Sequence, residues 1–203
     1  LALVVPCYNE QQILRESAHR LQNELSNLVG EGVVSAHSSI CFVDDGSVDS
    51  TWELIEDLSA GDSKFTGLKL NRNYGHQFAL YAGLVESEAD VMVSLDADLQ
   101  DDISVIRQML ALHKDGNEIV YGVRENRDSD TRFKRYTASL HYGLMSKLGV
   151  KTVSDHADFR LMSSRAVKLL SEYREANLYL RGIVPLLGLK SAKVYFRRGE
   201  RLG

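Results

Sequence analysis

The chain carries few covalent or conformational stiffeners: its 203 residues include two cysteines, two prolines and one tryptophan. Two cysteines cannot build the disulfide framework of a small secreted domain. Cys7 and Cys41 each fall in or beside an apolar strand pattern, where a small buried hydrophobe is the ordinary reading. No apolar run approaches the roughly 18 residues that a membrane-crossing helix needs. No signal peptide is evident, and no Asn-x-Ser/Thr acceptor occurs. The cytosol is the simplest compartment, and the piece itself is expected to be soluble. Gly-rich phosphate loops are missing as well. Neither G-x-G-x-x-G nor G-x-x-x-x-G-K-[ST] is present, which argues against a Rossmann dehydrogenase and a P-loop nucleotidase. There is no internal repeat and no low-complexity linker.

What is present is unevenly charged. Residues 1–123 hold 7 Lys/Arg against 20 Asp/Glu, a net of −13, whereas residues 124–203 hold 17 against 8, a net of +9. The imbalance predicts an acidic surface suited to a cation and a basic one suited to phosphates or anionic headgroups, unless the second is simply a solvated face. No nucleic-acid partner is expected.

The first half alternates strand and helix patterns. Leu1 to Val5 is an apolar run closed by Pro6, and Leu14, Ala18, Leu21, Leu25 and Leu28 recur at helical spacing. Ser39 to Val43 predicts a second strand, and Asp49 or Ser50 a cap for a helix reaching about Leu58. Thr66 to Leu70 predicts a third strand, His76 to Glu86 a helix, and Val91 to Leu95 a fourth strand. Ile103, Ile106, Met109 and Leu110 mark a helix face, and Glu118 to Gly122 a fifth strand. Apolar strands alternating with helices predict a mostly parallel central sheet covered by helices on both faces. Beyond Gly122, Thr131 to Leu148 reads as a helix with Arg132, Lys134 and Arg135 in its first turn, where cations oppose the macrodipole. Asp158 to Met162 is an expected strand, Ser164 to Tyr173 a helix and Ala192 to Phe196 a last strand.

The most informative feature is Asp96-Ala97-Asp98, which closes the fourth strand. It sets two carboxylates two residues apart at the strand's carboxyl end, the edge where open α/β sheets bind ligands. Mg²⁺ and Mn²⁺ take carboxylate oxygens together with substrate phosphates, so the pair suits a metal–diphosphate clamp. Three further polar segments should reach the same edge: Pro6-Cys7-Tyr8-Asn9-Glu10, Asp44-Asp45-Gly46-Ser47 and Asn71-Arg72-Asn73-Tyr74-Gly75. Each alone is ordinary turn chemistry. Together they suit a nucleotide held by base and ribose contacts plus a metal. His76 is expected near this pocket in a structural role and Trp52 in core packing. His141 and His156 have no companion at metal-ligand spacing.

Val4-Val5-Pro6-Cys7-Tyr8-Asn9-Glu10, Val43-Asp44-Asp45-Gly46-Ser47 and Asp96-Ala97-Asp98-Leu99-Gln100 resemble the signature segments of glycosyltransferase family 2, with its GT-A fold. Asp98-Leu99-Gln100, Tyr121-Gly122-Val123-Arg124 and Asp158-Phe159-Arg160-Leu161-Met162 are similar to its polyprenyl-phosphate sugar transferases, the bactoprenol glucosyltransferases and dolichol-phosphate mannose synthases. The resemblance implies a single catalytic domain, with residues 1–123 binding the nucleotide sugar and 124–203 forming an acceptor-binding, membrane-proximal half. It also implies that the domain belongs to a longer protein with C-terminal membrane helices, acting at the cytoplasmic face of the inner membrane. Pro6, Tyr8, Asn9, Glu10, Asp44, Asp45, Ser47, Asn73, Gly75, Asp96 and Ala97 would frame the donor, a UDP-sugar being favoured and UDP-glucose first among them. Asp98 and Gln100 would hold Mg²⁺ or Mn²⁺. Arg124, Arg135, Ser139, Arg198 and Arg201 would take the phosphate of a polyprenyl (undecaprenyl) lipid acceptor. Asp96, Asp98, Arg124 and Asp158 would carry catalysis, with Asp158 either a base or orienting group or a structural salt bridge. Asp101-Asp102 departs from the proline that many relatives place after the Gln. A saccharide acceptor, a non-catalytic nucleotide- or metal-binding role and homo-oligomerisation stay open.

Overall fold

A computed structural model of the chain describes residues 1–125, 156–173, 179–197 and 199, with backbone alone for His156 and Ala157. The expected helix over 131–148, with Arg132, Lys134, Arg135, Ser139 and His141, lies outside the described residues, as do Arg198 and Arg201.

Strands β1 (Ala2–Cys7), β2 (Ser39–Asp44), β3 (Phe65–Lys69), β4 (Val91–Ser94), β5 (Ile119–Arg124), β6 (His156–Ser163) and β7 (Ser191–Phe196) form one sheet in the order β3-β2-β1-β4-β6-β5-β7. Helices α1 (Leu14–Gly30), α2 (Thr51–Gly61), α3 (His76–Glu86), α4 (Ile106–Lys114), α5 (Ser164–Ser171) and α6 (Leu180–Leu186) cover it, and one 3₁₀ turn, Ile103–Val105, precedes α4. Every neighbouring pair of strands runs parallel except those made by β6, which is antiparallel to both β4 and β5. The mostly parallel sheet expected from the sequence is therefore present, with one reversed strand inside it.

The period-two alternation of strand side chains divides the core into two layers. Leu3 and Val5 of β1 pack with α1, α2 and α4, while Ala2 and Val4 pack with α3, α5 and α6. Helix α1 shows why its spacing encodes a helix: Leu14, Leu21, Leu25 and Leu28 are all fully buried on one face. Each such leucine stabilises the fold by about 1.5–3 kcal/mol. Cys7 and Cys41 are buried free thiols, as expected. Trp52 is partly buried against the core, with the Lys69 ammonium 5.0 Å from its ring centre. Helix α6 has no counterpart among the expected elements; it contains both Gly182 and Pro185, which mask a helical pattern.

Two consequences position the functional edge. The strand order reverses between β1 and β4, so a crevice opens there at the carboxyl ends. Because β6 is antiparallel, its first residues, not its last, reach the same edge: Arg160 pairs with Ser94 at the end of β4.

The loops after β1, β2 and β3 are locked to one another. The Asn9 N–H donates to Ser47 Oγ at 2.9 Å, the Val48 N–H to Asn9 Oδ1 at 2.9 Å and the Glu10 N–H to Thr51 Oγ1 at 2.8 Å. Gly46 closes the joint with φ 69°, and a Cβ there would stand 2.4 Å from the carbonyl carbon of Arg72. Gly46→Ala is expected to destabilise the protein by at least about 2 kcal/mol, combining left-handed strain with a backbone clash. Chemical denaturation of the purified variant checks this, and an unchanged midpoint would refute the packing role.

Candidate active site

Asp45 sits at the centre of the locked loops. It is buried, and its carboxylate accepts the Tyr74 N–H at 2.8 Å on Oδ1 and the Gly75 N–H at 2.9 Å on Oδ2. The side chain thus fixes the loop after β3, in which Gly75 has φ 94° and starts α3. Its neighbour Asp44 is fully buried, accepts the Ser47 N–H at 3.2 Å on Oδ1, and has no hydrogen bond on Oδ2 among the described residues. Asp49 receives both the N–H and the hydroxyl of Thr51. Ser50, at the cap position of α2, does not use its hydroxyl for capping.

The Asp96-Ala97-Asp98 turn is held from behind. Ala97 is buried and its carbonyl accepts the Ser17 hydroxyl at 2.6 Å. Leu99 takes a left-handed φ of 45°, an uncommon conformation for a branched side chain. It turns the chain between Asp98 and Gln100, and Leu99 itself is buried. The Gln100 carbonyl accepts the Gly199 N–H at 2.8 Å, so the segment after β7 returns to this loop. Asp101 and Asp102, which follow Gln100, are both engaged. Asp102 Oδ1 caps the 3₁₀ turn by accepting the Ser104 N–H at 3.0 Å. Asp101, buried, pairs with Arg124, which donates from Nε at 3.2 Å and lies 3.1 Å away through Nη2.

Opposite the turn stands a buried ion cluster. Asp158 and Arg160 occupy the same face of β6, two residues apart. Asp158 accepts Arg160 Nη2 at 2.8 Å and Arg181 Nε at 3.1 Å on Oδ1, and Arg181 Nη2 at 3.0 Å and Gln77 Nε2 at 3.0 Å on Oδ2. His76 Nε2 lies 3.4 Å from Asp158 and 3.6 Å from Asp96, bridging the two walls. Gln77 Oε1 also accepts the Leu180 N–H at 3.1 Å, tying α3 to α6. Burial works to raise the Asp158 pKa, but hydrogen bonds from His76 and Arg181 and the charges of both arginines outweigh it. Its carboxyl is held far below the ordinary range. Asp96 shifts the other way, raised first by burial and then by the carboxylates of Asp101, Asp158 and Asp98. The hydrogen bond to Asp158 raises the His76 pKa against the opposing effect of burial.

These walls enclose a cavity of about 430 Å³. Among the expected donor-site residues, Pro6, Tyr8, Glu10, Asp45, Asn73, Gly75, Asp96 and Ala97 line it, together with Asp98 and Asp158. Asn9 and Ser47 serve the clasp between loops, Asp44 lies beneath, and Gln100 and Arg124 are not part of the lining. Sequence reasoning missed Gln77 and Arg181 and gave Arg160 no role. Arg160 left a trace, a charged residue two positions from an acid in an otherwise apolar strand. Arg181 left none.

The carboxylates of Asp96 and Asp98 face one cavity, and no cluster of three metal-ligating side chains exists among the described residues. A partial protein shell of this kind fits Mg²⁺ or Mn²⁺, which complete their octahedra with waters and substrate phosphates.

Two outcomes follow from the cluster. Asp158→Asn leaves Arg160 buried without its counter-charge and is expected to cost about 3–5 kcal/mol in denaturant unfolding; a loss under 1 kcal/mol would contradict the pairing. The folded-state pKa of His76 lies above its unfolded value, so its stabilisation is full below about pH 6 and is lost as pH rises through the raised value. The melting-temperature gap between wild type and His76→Gln should therefore be larger at pH 5.5 than at pH 9. An equal gap at both would count against the bridge.

Comparison with known proteins agrees with this geometry. The description Glycosyl transferase family 2 matches residues 2–171. The uncharacterized glycosyltransferase YkoT of Bacillus subtilis (strain 168) is 52% identical over 203 residues, 99% of this chain and 60% of its own length. The prophage bactoprenol glucosyl transferase homolog of Escherichia coli (strain K12) is 34% identical over all of this chain and 64% of its own length. The chain thus spans less than two thirds of these curated relatives. Among solved structures, glucosyl-3-phosphoglycerate synthase from Mycobacterium tuberculosis, in complex with Mn²⁺, UDP and phosphoglyceric acid, superposes with a TM-score of 0.62 at 22% identity, covering 100% of this chain and 70% of that one. The mannosyltransferase PcManGT of Pyrobaculum calidifontis, with GDP-Man and Mn²⁺, gives 0.65 at 16% identity, covering 100% and 56%. The fold is the GT-A fold, and the chain belongs to glycosyltransferase family 2.

Proposed function

We propose that this domain transfers a hexosyl group, glucose from UDP-glucose in first place, from a nucleotide diphosphate to a polyprenyl phosphate at the cytoplasmic face of the membrane. The observation that carries the reading is the cavity at the β1/β4 crevice, where Asp96 and Asp98 face the locked loops of β1, β2 and β3. The likeness to a relative named for bactoprenol glucosyl transfer supports the lipid acceptor. No helix among the described residues is long and apolar enough to cross a membrane, so a membrane anchor would have to come from outside them.

Pro6, Tyr8, Glu10, Asp45 and Asn73 frame the nucleoside, and their backbone is rigid before the donor arrives. Asp98, with Gln100, is the protein's offer to Mg²⁺ or Mn²⁺. When bound, that ion neutralises charge on the departing nucleoside diphosphate. Asp96 faces the donor sugar or ribose. In the reaction, an oxygen of the acceptor phosphate forms a bond to the anomeric carbon from the far side as the sugar–diphosphate bond breaks, inverting the centre. A phosphate monoester has its second pKa near 6 and is largely dianionic at neutral pH, so the attacking oxygen needs no base. Asp158 fits that economy: all of its hydrogen-bonding capacity goes to Arg160, Arg181, Gln77 and His76, and it acts as an organiser of the wall. Arg124, with Arg135, Ser139, Arg198 and Arg201, is assigned to the acceptor phosphate. Arg124 donates to Asp101 through Nε and Nη2.

Asp98→Ala is expected to abolish transfer by the full-length protein, at least about a thousandfold below wild type, while leaving the melting temperature within a few degrees. Thermal stabilisation by UDP-glucose in the presence of Mn²⁺, absent with GDP-mannose, should accompany it. Undiminished turnover by the variant, or stabilisation by no nucleotide sugar, would sink the reading.

A further inference from the structure

The cavity is strongly acidic for a site that is to hold phosphates. Among the described residues, Glu10, Asp45, Asp96, Asp98 and Asp158 line it against a single arginine, Arg181, from the short helix α6. That arginine is built unusually well. Its Nε and Nη2 donate to the two oxygens of Asp158 at 3.1 and 3.0 Å, so one edge of the guanidinium is clamped. Asp158 is itself 4% exposed and fixed by Arg160 and Gln77, whereas the Arg181 side chain is 45% exposed. Its Nη1 makes no hydrogen bond among the described residues. The clamped edge thus points into protein, and the open edge borders the cavity.

The charge count explains why such a clamp retains attraction for an anion. Asp158 carries one negative charge and is shared by two guanidinium groups, Arg160 and Arg181, with Gln77 neutral. These three charged groups together keep one net positive charge, and of the two guanidinium groups Arg181 is the exposed one, with Asp96 acting on it as well. A planar fork held in place loses little freedom when it meets a phosphate, and bidentate recognition of phosphate is what guanidinium does best. We infer that Arg181 is a phosphate-binding residue of this cavity, and that Asp158 is the positioning residue that aims it.

The inference rests on the proposed transfer reaction, which brings two phosphates to the cavity: the diphosphate of the donor and the monoester of the acceptor. The ligand chemistry is shared, and the experiment separates the sources. UDP and uridine binding to the full-length protein, with Mn²⁺, is measured by calorimetry for wild type, Arg181→Met and Arg181→Lys, alongside KM for polyprenyl phosphate. If the donor is the ligand, Arg181→Met should weaken UDP about tenfold or more and leave uridine within twofold. If the acceptor is the ligand, UDP affinity should hold within twofold while KM for polyprenyl phosphate rises about tenfold. A purely structural role would instead weaken uridine and UDP together and leave that KM alone, which overturns the assignment. So does a variant indistinguishable from wild type in both. Should Arg181→Met fail to fold, Arg181→Lys is read by the same criteria, since it keeps a charge beside Asp158 and loses the fork. Wild type that binds no UDP defeats the transfer reaction itself, whereas wild type that binds it with unchanged variants defeats only the role of Arg181.

Discussion

The buried carboxylate of Asp158 is the constraint on which one wall of the active site depends. Taken alone, burial would drive it toward the neutral acid. It is kept ionised by donors drawn from different parts of the chain: Arg160 on its own strand, Gln77 and His76 at the start of α3, and Arg181 on α6. Each of these elements would otherwise be free to settle against the sheet at its own height. A shared charge fixes their relative position more sharply than apolar contact could, because hydrogen bonds are directional and an unmet buried charge costs several kcal/mol. The arrangement is not optimised for stability. Arg160 Nε is buried with no partner among the described residues, a penalty of about 1–3 kcal/mol that a hydrophobic replacement would not carry. A cluster that costs stability and lines a ligand cavity is better understood as serving the ligand.

The acidity of the cavity has the same logic. Burial first, and then the carboxylates of Asp101, Asp158 and Asp98, raise the Asp96 pKa, and the acidic lining would repel a diphosphate. Arg124, the cation that sequence comparison offers for phosphate, is already half-neutralised by Asp101. Among the described residues that line the cavity Arg181 is the one arginine, so under the proposed function a bound cation and Arg181 would both contribute positive charge toward an anionic substrate. Under the proposed function, binding of donor and divalent ion would be cooperative, since each would remove a repulsion felt by the other.

How much of this could be read from the amino acids varies with the distance over which each feature is determined. The loops after β1, β2 and β3 and the Asp96 turn were legible, because strand ends rich in Asn, Asp, Gly and Ser are local signals and the parallel pattern sends them to one edge. The limits of α3, His76 to Glu86, were legible too, from spacing alone. The reversed direction of β6 was not. It depends on pairing between residues 66 and more positions apart, and it explains how Asp158, at the beginning of a strand, faces Asp96, just past the end of another. Strand β5 runs on to Arg124, beyond its expected end at Gly122, because β7 pairs with it as far as Phe196. Arg181 lay hidden for a different reason: Gly182 and Pro185 suppress the helical signal of its segment, and nothing local distinguishes a cavity arginine from a surface one.

The two walls of the cavity are built on different principles, and the difference bears on mechanism. On the nucleoside side, backbone amides of three loops are tied to side chains of their neighbours, Asn9 to Ser47, Glu10 to Thr51, Tyr74 and Gly75 to Asp45, and Gly46 leaves no room for slack. Many weak bonds in series give a surface that recognises shape and changes little on binding. On the opposite side, position rests on one carboxylate and the cations around it, and His76, whose charge depends on pH, spans the gap. A ligand phosphate on the open edge of Arg181 would meet a guanidinium that Asp158 already holds in place. Under the proposed function, recognition of the base by tied loops and of the phosphates by a shared charge would follow from how each wall is held.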